Sequence, residues 1–356
     1  MKIALINDTH FGARQDSSAF HDYFMKFYNN VFFPYLEEHQ IKTVVHLGDV
    51  VERRKFINFN ILRKLRAGFV FRLGLMNVDT HIIIGNHDTY WKNTNSVNSM
   101  EELFTTFDGS HEPWIYSQPK VVNFDGLDVL MMPWINSDNQ EACVNMLRTT
   151  KASVVMGHLE VKGFEMYRGH HSDVGQEMSH FQRFDMVMSG HFHHKSDNGT
   201  VYYLGAPYEI TWSDFQDSRG FHVFDTKTRE LTRVENPYRM FHKVYYDDKG
   251  KSANEVFPTS YTEFQDTCVK VVVLNKTQPK LFDELLDKLY KQNPIDLSIV
   301  EDFTEYDSEV SDEVLQAEDT LTILGKYVDN MELDIKKPKL KGLLNTLYTE
   351  AINAES

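Results

Sequence analysis

Five apolar runs of strand length, Lys2–Asn7, Thr43–Leu47, Thr80–Ile84, Ser153–Met156 and Asp185–Met188, each end at a short polar group. The groups are Asp8-Thr9-His10, Gly48-Asp49, Gly85-Asn86-His87-Asp88, Gly157-His158 and Gly190-His191-Phe192-His193. Apolar runs this short and continuous read as buried strands. Amphipathic stretches between them predict helices over Ser18–His39, with Pro34 a weak point, and over Ile57–Leu75, with Ile61, Leu65, Phe69 and Leu73 on one stripe. Strands alternating with helices predict an α/β layer structure. In open sheets of that class, sites assemble beyond the carboxyl ends of the strands.

The rest of the chain adds β structure. Val121–Pro133 reads as a hairpin around Asp125-Gly126. Thr200–Leu204, Gly220–Asp225 and Glu230–Glu235 read as strands, the last two joined by a turn at Thr226–Arg229. Composition shifts near Asn236-Pro237, and a smaller α+β unit is expected from Phe241. It holds a strand at Cys268–Leu274, a helix at Lys280–Gln292 and a strand at Leu297–Phe303. Thr304–Glu318 is acidic and reads as a linker opening a helix. The tail from Asp319 is helical in pattern, broken at Lys336-Lys337-Pro338. The expected division is 1–236, 237–303 and 304–356.

With 41% hydrophobic residues, the 356-residue chain can build an ordinary core. Its N-terminus turns polar too soon for a signal peptide, and no apolar run approaches the ~20 residues of a membrane span. Cys143 and Cys268 stand apart from each other and read as buried reduced thiols, which suits a cytoplasmic protein. The net charge of −15 argues against a broad basic face that coats nucleic acid, though not against nucleic acid as a substrate.

Any one of the five groups alone is an ordinary accident of composition. Their occurrence together, in order, each after an apolar strand, is not. Asp8 and His10, at i and i+2, project to one side of an extended chain and can share a metal. So can His191 and His193. Asp49 can bridge two metals through its two oxygens. Asn86 offers a hard neutral oxygen, His158 an imidazole, and His87 is left for other work. Carboxylate, amide and imidazole donors without thiolate favour Mn²⁺, Fe or Zn, and offer more nitrogen than Mg²⁺ usually takes. Two such ions about 3.5–4 Å apart would clamp the attacking and leaving oxygens of a phosphoryl displacement.

The ordered set Asp8/His10, Asp49, Asn86/His87, His158 and His191/His193 resembles the calcineurin-like metallophosphoesterases. Within them it is similar to the SbcD-type nucleases of double-strand-break repair, and especially to the recombination endonuclease subunits of T-even-type phages. Tyr203-Leu204-Gly205-Ala206-Pro207 and Arg219-Gly220-Phe221 resemble what such nucleases carry after their last metal motif. The resemblance implies a β-sandwich flanked by helices, a small α+β capping domain that contacts DNA, and a C-terminal helical segment. It implies two divalent metals, Mn²⁺ in the usual case. Asp8, His10, Asp49 and His193 would hold one, and Asp49, Asn86, His158 and His191 the other. A water activated between them would attack phosphorus, with His87 at the leaving oxygen, oriented by Asp88. As partners it implies DNA, a second copy of the chain and an SbcC-type SMC-like coiled-coil ATPase docked on Leu340–Ile352. Such nucleases usually carry a histidine three residues after the bridging Asp, where this chain has Glu52.

Other residues admit two readings. Arg53, Arg54 and Lys55 are solvated charges opening a helix, or grips for DNA phosphates. Arg53 also resembles the phosphate-gripping Arg of protein phosphatases. Tyr90 and Trp91 read as core aromatics, with base stacking as the functional alternative. The stripe on Ile57–Leu75 is an ordinary core face or, as the resemblance suggests, a dimer seam. His170, His171, His180 and His194 are not assigned to metal. The competing activity is that of a phosphomonoesterase or protein phosphatase. A non-enzymatic scaffold would have lost ligands, and none is lost here.

Overall fold

A computed structural model describes residues 1–104, 112–167 and 170–301. The strands β1 (Lys2–Ile6), β2 (Thr43–His46), β3 (Asp79–Ile83) and β4 (Trp114–Tyr116) run parallel. Next come the hairpin β5 (Lys120–Phe124) and β6 (Leu127–Met132), then β7 (Val154–His158). A small antiparallel pair, β8 (Glu165–Tyr167) and β9 (His170–His171), precedes β10 (Met186–Gly190), β11 (Ser196–Asp197) and β12 (Val201–Tyr203). The hairpin β13 (Gly220–Asp225) and β14 (Leu231–Glu235) follows. These strands form two six-stranded sheets, β14-β13-β1-β2-β3-β4 and β11-β12-β10-β7-β6-β5.

Strand periodicity dictates the layering. On β1, Ile3 and Leu5 face the second sheet and pack with Val129, Met131, Val154, Met156 and Met188. Ala4 and Ile6 face the other way, onto the helices. Because both faces of each central strand are covered, the runs are continuously apolar rather than alternating. The outer face of the first sheet carries the helices Ser18–Phe27, Phe33–Glu38, Phe59–Leu65 and Phe71–Leu75. The helix Gln140–Thr149 covers the second sheet through Cys143 and Leu147. The resulting order of layers is helix, sheet, sheet, helix, the sandwich that the resemblance implied.

Each long helical run is broken by one wide turn of π-type hydrogen bonding, Tyr28–Phe32 and Arg66–Val70. Pro34 falls in the first turn of the helix that restarts after the former, where its missing N–H costs nothing. The stripe Ile61, Leu65, Phe69 and Leu73 is buried in the core. Phe69 lies against Phe11, Tyr28, Phe32 and Phe33. The dimer-seam reading of that stripe is therefore wrong, and the core reading holds.

Beyond Asn236 the parallel strands β15 (Phe241–Asp247), β16 (Cys268–Asn275) and β17 (Asp296–Val300) form a separate three-stranded sheet. The helix Pro279–Tyr290 covers it, with Phe282, Leu285 and Leu289 packed on Val269, Val271 and Val273. Both cysteines are free and buried. The acidic linker and the helical tail expected over 304–356 lie outside the described residues. No helix among the described residues is long and apolar enough to cross a membrane.

Phe69→Ala removes a ring enclosed on all sides and should cost about 3–5 kcal/mol of stability. Urea unfolding reads this directly. A loss below about 1 kcal/mol with altered self-association would return Phe69 to a subunit interface.

Candidate metal centre

The five polar groups converge where the sandwich's two sheets meet. Asp8/His10, Asp49 and Asn86/His87/Asp88 follow β1, β2 and β3 of one sheet; His158 and His191/His193 close β7 and follow β10 of the other. The loops after β1 and β2 run side by side. Asp8 N–H donates to the Gly48 carbonyl at 3.0 Å, His10 to Asp49 at 3.1 Å, Phe11 to Val50 at 2.8 Å, and Glu52 back to Phe11 at 3.1 Å. This ladder fixes the register of the first two groups.

The backbone bends sharply at the donors. Asp8, His10, Asp49 and His191 all have positive φ, at 50°, 42°, 55° and 89°. Residues with side chains adopt that region only when their surroundings impose it, at a cost of about 1 kcal/mol or more each. Thr9 pins one such bend by donating its hydroxyl to the Val50 carbonyl at 3.2 Å and bonding His46 Nε2 at 3.0 Å. A Cβ on Gly85 would overlap the Asp49 carboxylate, so only glycine lets that side chain in.

Donor atoms fall into two main groups, Asp8/His10/His193 and Asp49/His158/His191, each with its atoms within 4.8 Å of one another. His10 Nε2 lies 3.0 Å from His193 Nε2. Asn86 Oδ1 lies 2.9 Å from His158 Nε2 and 3.0 Å from His191 Nδ1, which adds it to the second group. Asp49 Oδ2 is 3.3 Å from His158 Nε2 and 3.9 Å from His10 Nε2, between the two. A third overlapping cluster, His10/Asp49/His87, places His87 alongside. Oxygen and imidazole donors converging this closely suit a pair of divalent cations.

Electrostatics point the same way. Burial raises the Asp8 pKa, with the Asp49 charge adding to it against the pull of His158. Asp49 is held well below the carboxylate range despite burial, because His158 and His87 lie beside it. Burial works against charging His10, but the Glu52 carboxylate 2.7 Å from Nδ1 overrides it and lifts His10 to about 10. His158 is likewise buried, and Asp49 lifts it to about 9. Burial and the nearby His10 hold His193 far below its usual value, so it stays neutral. Without a cation, protons on His10 and His158 balance the buried carboxylates.

The surroundings were mostly invisible in the sequence. Asp88 does not orient His87. Its carboxylate accepts from the backbone N–H groups of Gly85, Asp49, Val50 and Val51 at 2.9–3.1 Å, tying the loop after β2 to that after β3. The orienting contact is the Glu52 carbonyl, 2.6 Å from His87 Nδ1. Leu47 carbonyl accepts from His158 Nδ1 at 2.8 Å and turns Nε2 into the site. Asn7 donates to Asp8 at 2.5 Å and to the Gly205 carbonyl at 3.0 Å. Buried Arg219 donates to the His193 carbonyl and to Asp214 at 2.7 Å. Of these, Asp88 and Glu52 stood out in the sequence beside the ligands and Arg219 within Arg219-Gly220-Phe221, but the partners of all three did not.

The basic and aromatic candidates lie near one another. Arg53 is partly exposed and paired with Asp16 at 2.7 Å, so it is not a free solvated charge, and a phosphate would have to compete with that pair. Arg54 donates to Thr89 Oγ1 at 3.3 Å, and the Lys55 ammonium sits 5.8 Å from the Tyr90 ring. Tyr90 and Trp91 pack edge to face at 4.7 Å and are exposed, so the core reading of them is corrected.

Residues 1–195 match the family model of the calcineurin-like phosphoesterases, more than half of the chain. The chain belongs to that family. Along 99% of its length and of the relative's, this phosphoesterase is 29% identical to exonuclease subunit 1 of Enterobacteria phage T4. It is 22% identical to a subunit of the SbcCD nuclease of Staphylococcus epidermidis, over 58% of this chain and 57% of that one. A solved archaeal phosphodiesterase superposes with a TM-score of 0.33 at 13% identity, over 66% of this chain and 100% of that one.

Divalent cations must displace the protons on His10 and His158. Both values lie above neutrality, so affinity for Mn²⁺ should rise with pH up to those values. Binding near neutral pH should release roughly one to two protons. Calorimetry in buffers of different ionisation enthalpy measures this; a pH-independent affinity would contradict it.

Proposed function

We propose that this phosphoesterase is a metal-dependent DNA nuclease, the phosphodiester-cleaving subunit of a recombination and double-strand-break repair machine. The observation that carries the reading is the pair of donor groups with Asp49 between them and His87 beside them. The substrate reading is supported by the full-length relative, which is by name an exonuclease subunit, and by the SbcCD relative. Asp8, His10, Asp49 and His193 would hold one divalent ion. Asp49, Asn86, His158 and His191 would hold the other. Mn²⁺ suits the mixed oxygen and nitrogen set best, with Mg²⁺, Fe or Zn as substitutes. When bound, such a pair supplies Lewis acidity at the phosphoryl oxygens and lowers the pKa of a water.

The chain's own residues supply the rest. His87 backbone N–H holds Asp49 Oδ1 at 2.7 Å, while its ring Nδ1 is engaged by the Glu52 carbonyl. Nε2 is then the nitrogen that meets the leaving oxygen, to stabilise or protonate it. Asp88 keeps the loops that carry Asp49 and His87 at a fixed separation.

The sheet and helix of residues 237–303 would form a cap that contacts DNA. Exposed Tyr90 and Trp91, with Lys55 and Arg54, would stack on and grip the strand next to the site. An SMC-like coiled-coil ATPase is the proposed partner, docking on Leu340–Ile352, outside the described residues. Dimerisation is proposed through the helices of the first layer. The outer side of the run that buries Phe69 leaves Phe59, Phe71 and Leu75 exposed at 88%, 42% and 80%. The proposed location is the cytoplasm, that of the host cell if the gene is phage-borne.

With Mn²⁺ and labelled single- or double-stranded DNA, the protein should cleave, and Asp49→Asn and His191→Ala should abolish cleavage. His87→Ala should lower kcat about 10²–10⁴-fold with KM little changed. No DNA cleavage alongside brisk hydrolysis of a phosphoprotein would favour the phosphatase reading instead. Phe59→Asp with Leu75→Asp should halve the mass seen by light scattering. An unchanged mass would remove this face from the dimer.

A further inference from the structure

We infer that Glu52 is a positioning residue that sets the affinity of one of the two cations, the one shared by Asp8, His10 and His193. The inference rests on the metal-dependent reading above. Glu52 is placed by the ladder between the first two loops. Its N–H donates to the Phe11 carbonyl at 3.1 Å, while His10 N–H donates to Asp49. The third residue past Asp49 is thereby brought level with His10. The Glu52 carboxylate lies 2.7 Å from His10 Nδ1, one-third exposed against an imidazole that is almost fully buried.

Glu52 is not itself among the converging donors. The clusters of possible metal-holding atoms include His10 but not Glu52. The 2.7 Å contact is an ionic one rather than a well-aligned hydrogen bond. A carboxylate this close favours a proton on the Nδ1 edge of the ring, leaving Nε2, 3.0 Å from His193 Nε2, as the nitrogen that faces the site and the better ligand for it. The two donor groups therefore differ in how closely their imidazoles are backed. His10 has a carboxylate at 2.7 Å, whereas His158 has the neutral Leu47 carbonyl and His191 has the Glu160 carboxylate only at 3.8 Å. Glu52 also reaches His87 through its backbone carbonyl at 2.6 Å. That second contact does not depend on the side chain, so a substitution at this position separates the two roles.

The test titrates the full-length protein with Mn²⁺ alone, following heat and the electron paramagnetic resonance of unbound ion. Wild type should bind two ions. Glu52→Ala should weaken one of them about 10–100-fold and leave the other nearly unchanged, the effect expected when the partner of a ligating histidine is removed. Glu52→Gln, which keeps an acceptor but loses the charge, should fall between. DNA cleavage by both variants should recover as Mn²⁺ is raised, whereas Asp49→Asn should not recover at any concentration. Thermal melting of the two variants checks that they fold.

Unchanged binding of both ions in Glu52→Ala overturns the inference. So does an equal loss of both ions in Glu52→Ala and Glu52→Gln, which marks a purely structural role, or a cleavage defect that persists at saturating Mn²⁺. Two ions bound by wild type, one weakened in the variants, and no DNA cut would sink the nuclease reading while leaving the role of Glu52 intact. Absence of any ion on wild type would sink the metal reading itself.

Discussion

Two carboxylates, Asp8 and Asp49, are buried close enough that the charge of one shifts the pKa of the other, and the rest of the site answers to that repulsion. Burying like charges is tolerated only if positive charge is supplied nearby and every oxygen is hydrogen-bonded. Here the imidazoles of His10 and His158, one from each sheet, supply the positive charge, and backbone N–H groups supply part of the bonding. The His87 N–H reaches Asp49, and the His191 N–H reaches Asp8 at 3.1 Å. The opposite shifts of the two carboxyls, Asp8 up and Asp49 down, follow from position. Asp49 stands between the two donor groups and faces more imidazoles.

The frame that holds these side chains is itself polar and buried. Asp88 gathers four N–H donors, and Arg219 fastens the His193 backbone to Asp214. Neither group meets the convergence of donors directly. Each removes freedom from a loop that would otherwise let a ligand drift, and the left-handed turns at the ligands persist because of them. An acidic chain can in this way present a local site for a polyanion. Much of its net charge of −15 falls in the acidic stretch 301–319, far along the sequence from the ligands, while protons or cations at the strand ends would reverse the sign where it counts.

The ligands are readable in the sequence because each lies within four residues of a strand end, and strand ends follow from local hydrophobic patterning. The sandwich layering follows from continuous rather than alternating runs. What escapes is of two kinds. Elements that are short or bury few residues carry too little pattern, as with β4, three residues long, the helix Ser99–Phe104, and Gln140–Thr149, which buries only Cys143 and Leu147. Contacts between chain segments far apart in sequence carry none, as with Arg219 and His193 or Leu47 and His158. Asp88 misleads because adjacency to His87 suggests a side-chain pair, whereas the turn sends its carboxylate to the backbone of another loop. Tyr90 and Trp91 mislead because composition cannot tell a loop tip from an interior.

The donors are divided between the sheets: Asp8, His10, Asp49 and Asn86 belong to one, His158, His191 and His193 to the other. The sheets are already joined by interdigitated apolar side chains and by hydrogen bonds beside the site, His158 to the Leu47 carbonyl and Asn7 to the Gly205 carbonyl. Cations held by donors from both sides would act as a rivet through that plane, so that loading the site would stiffen the slab as a whole.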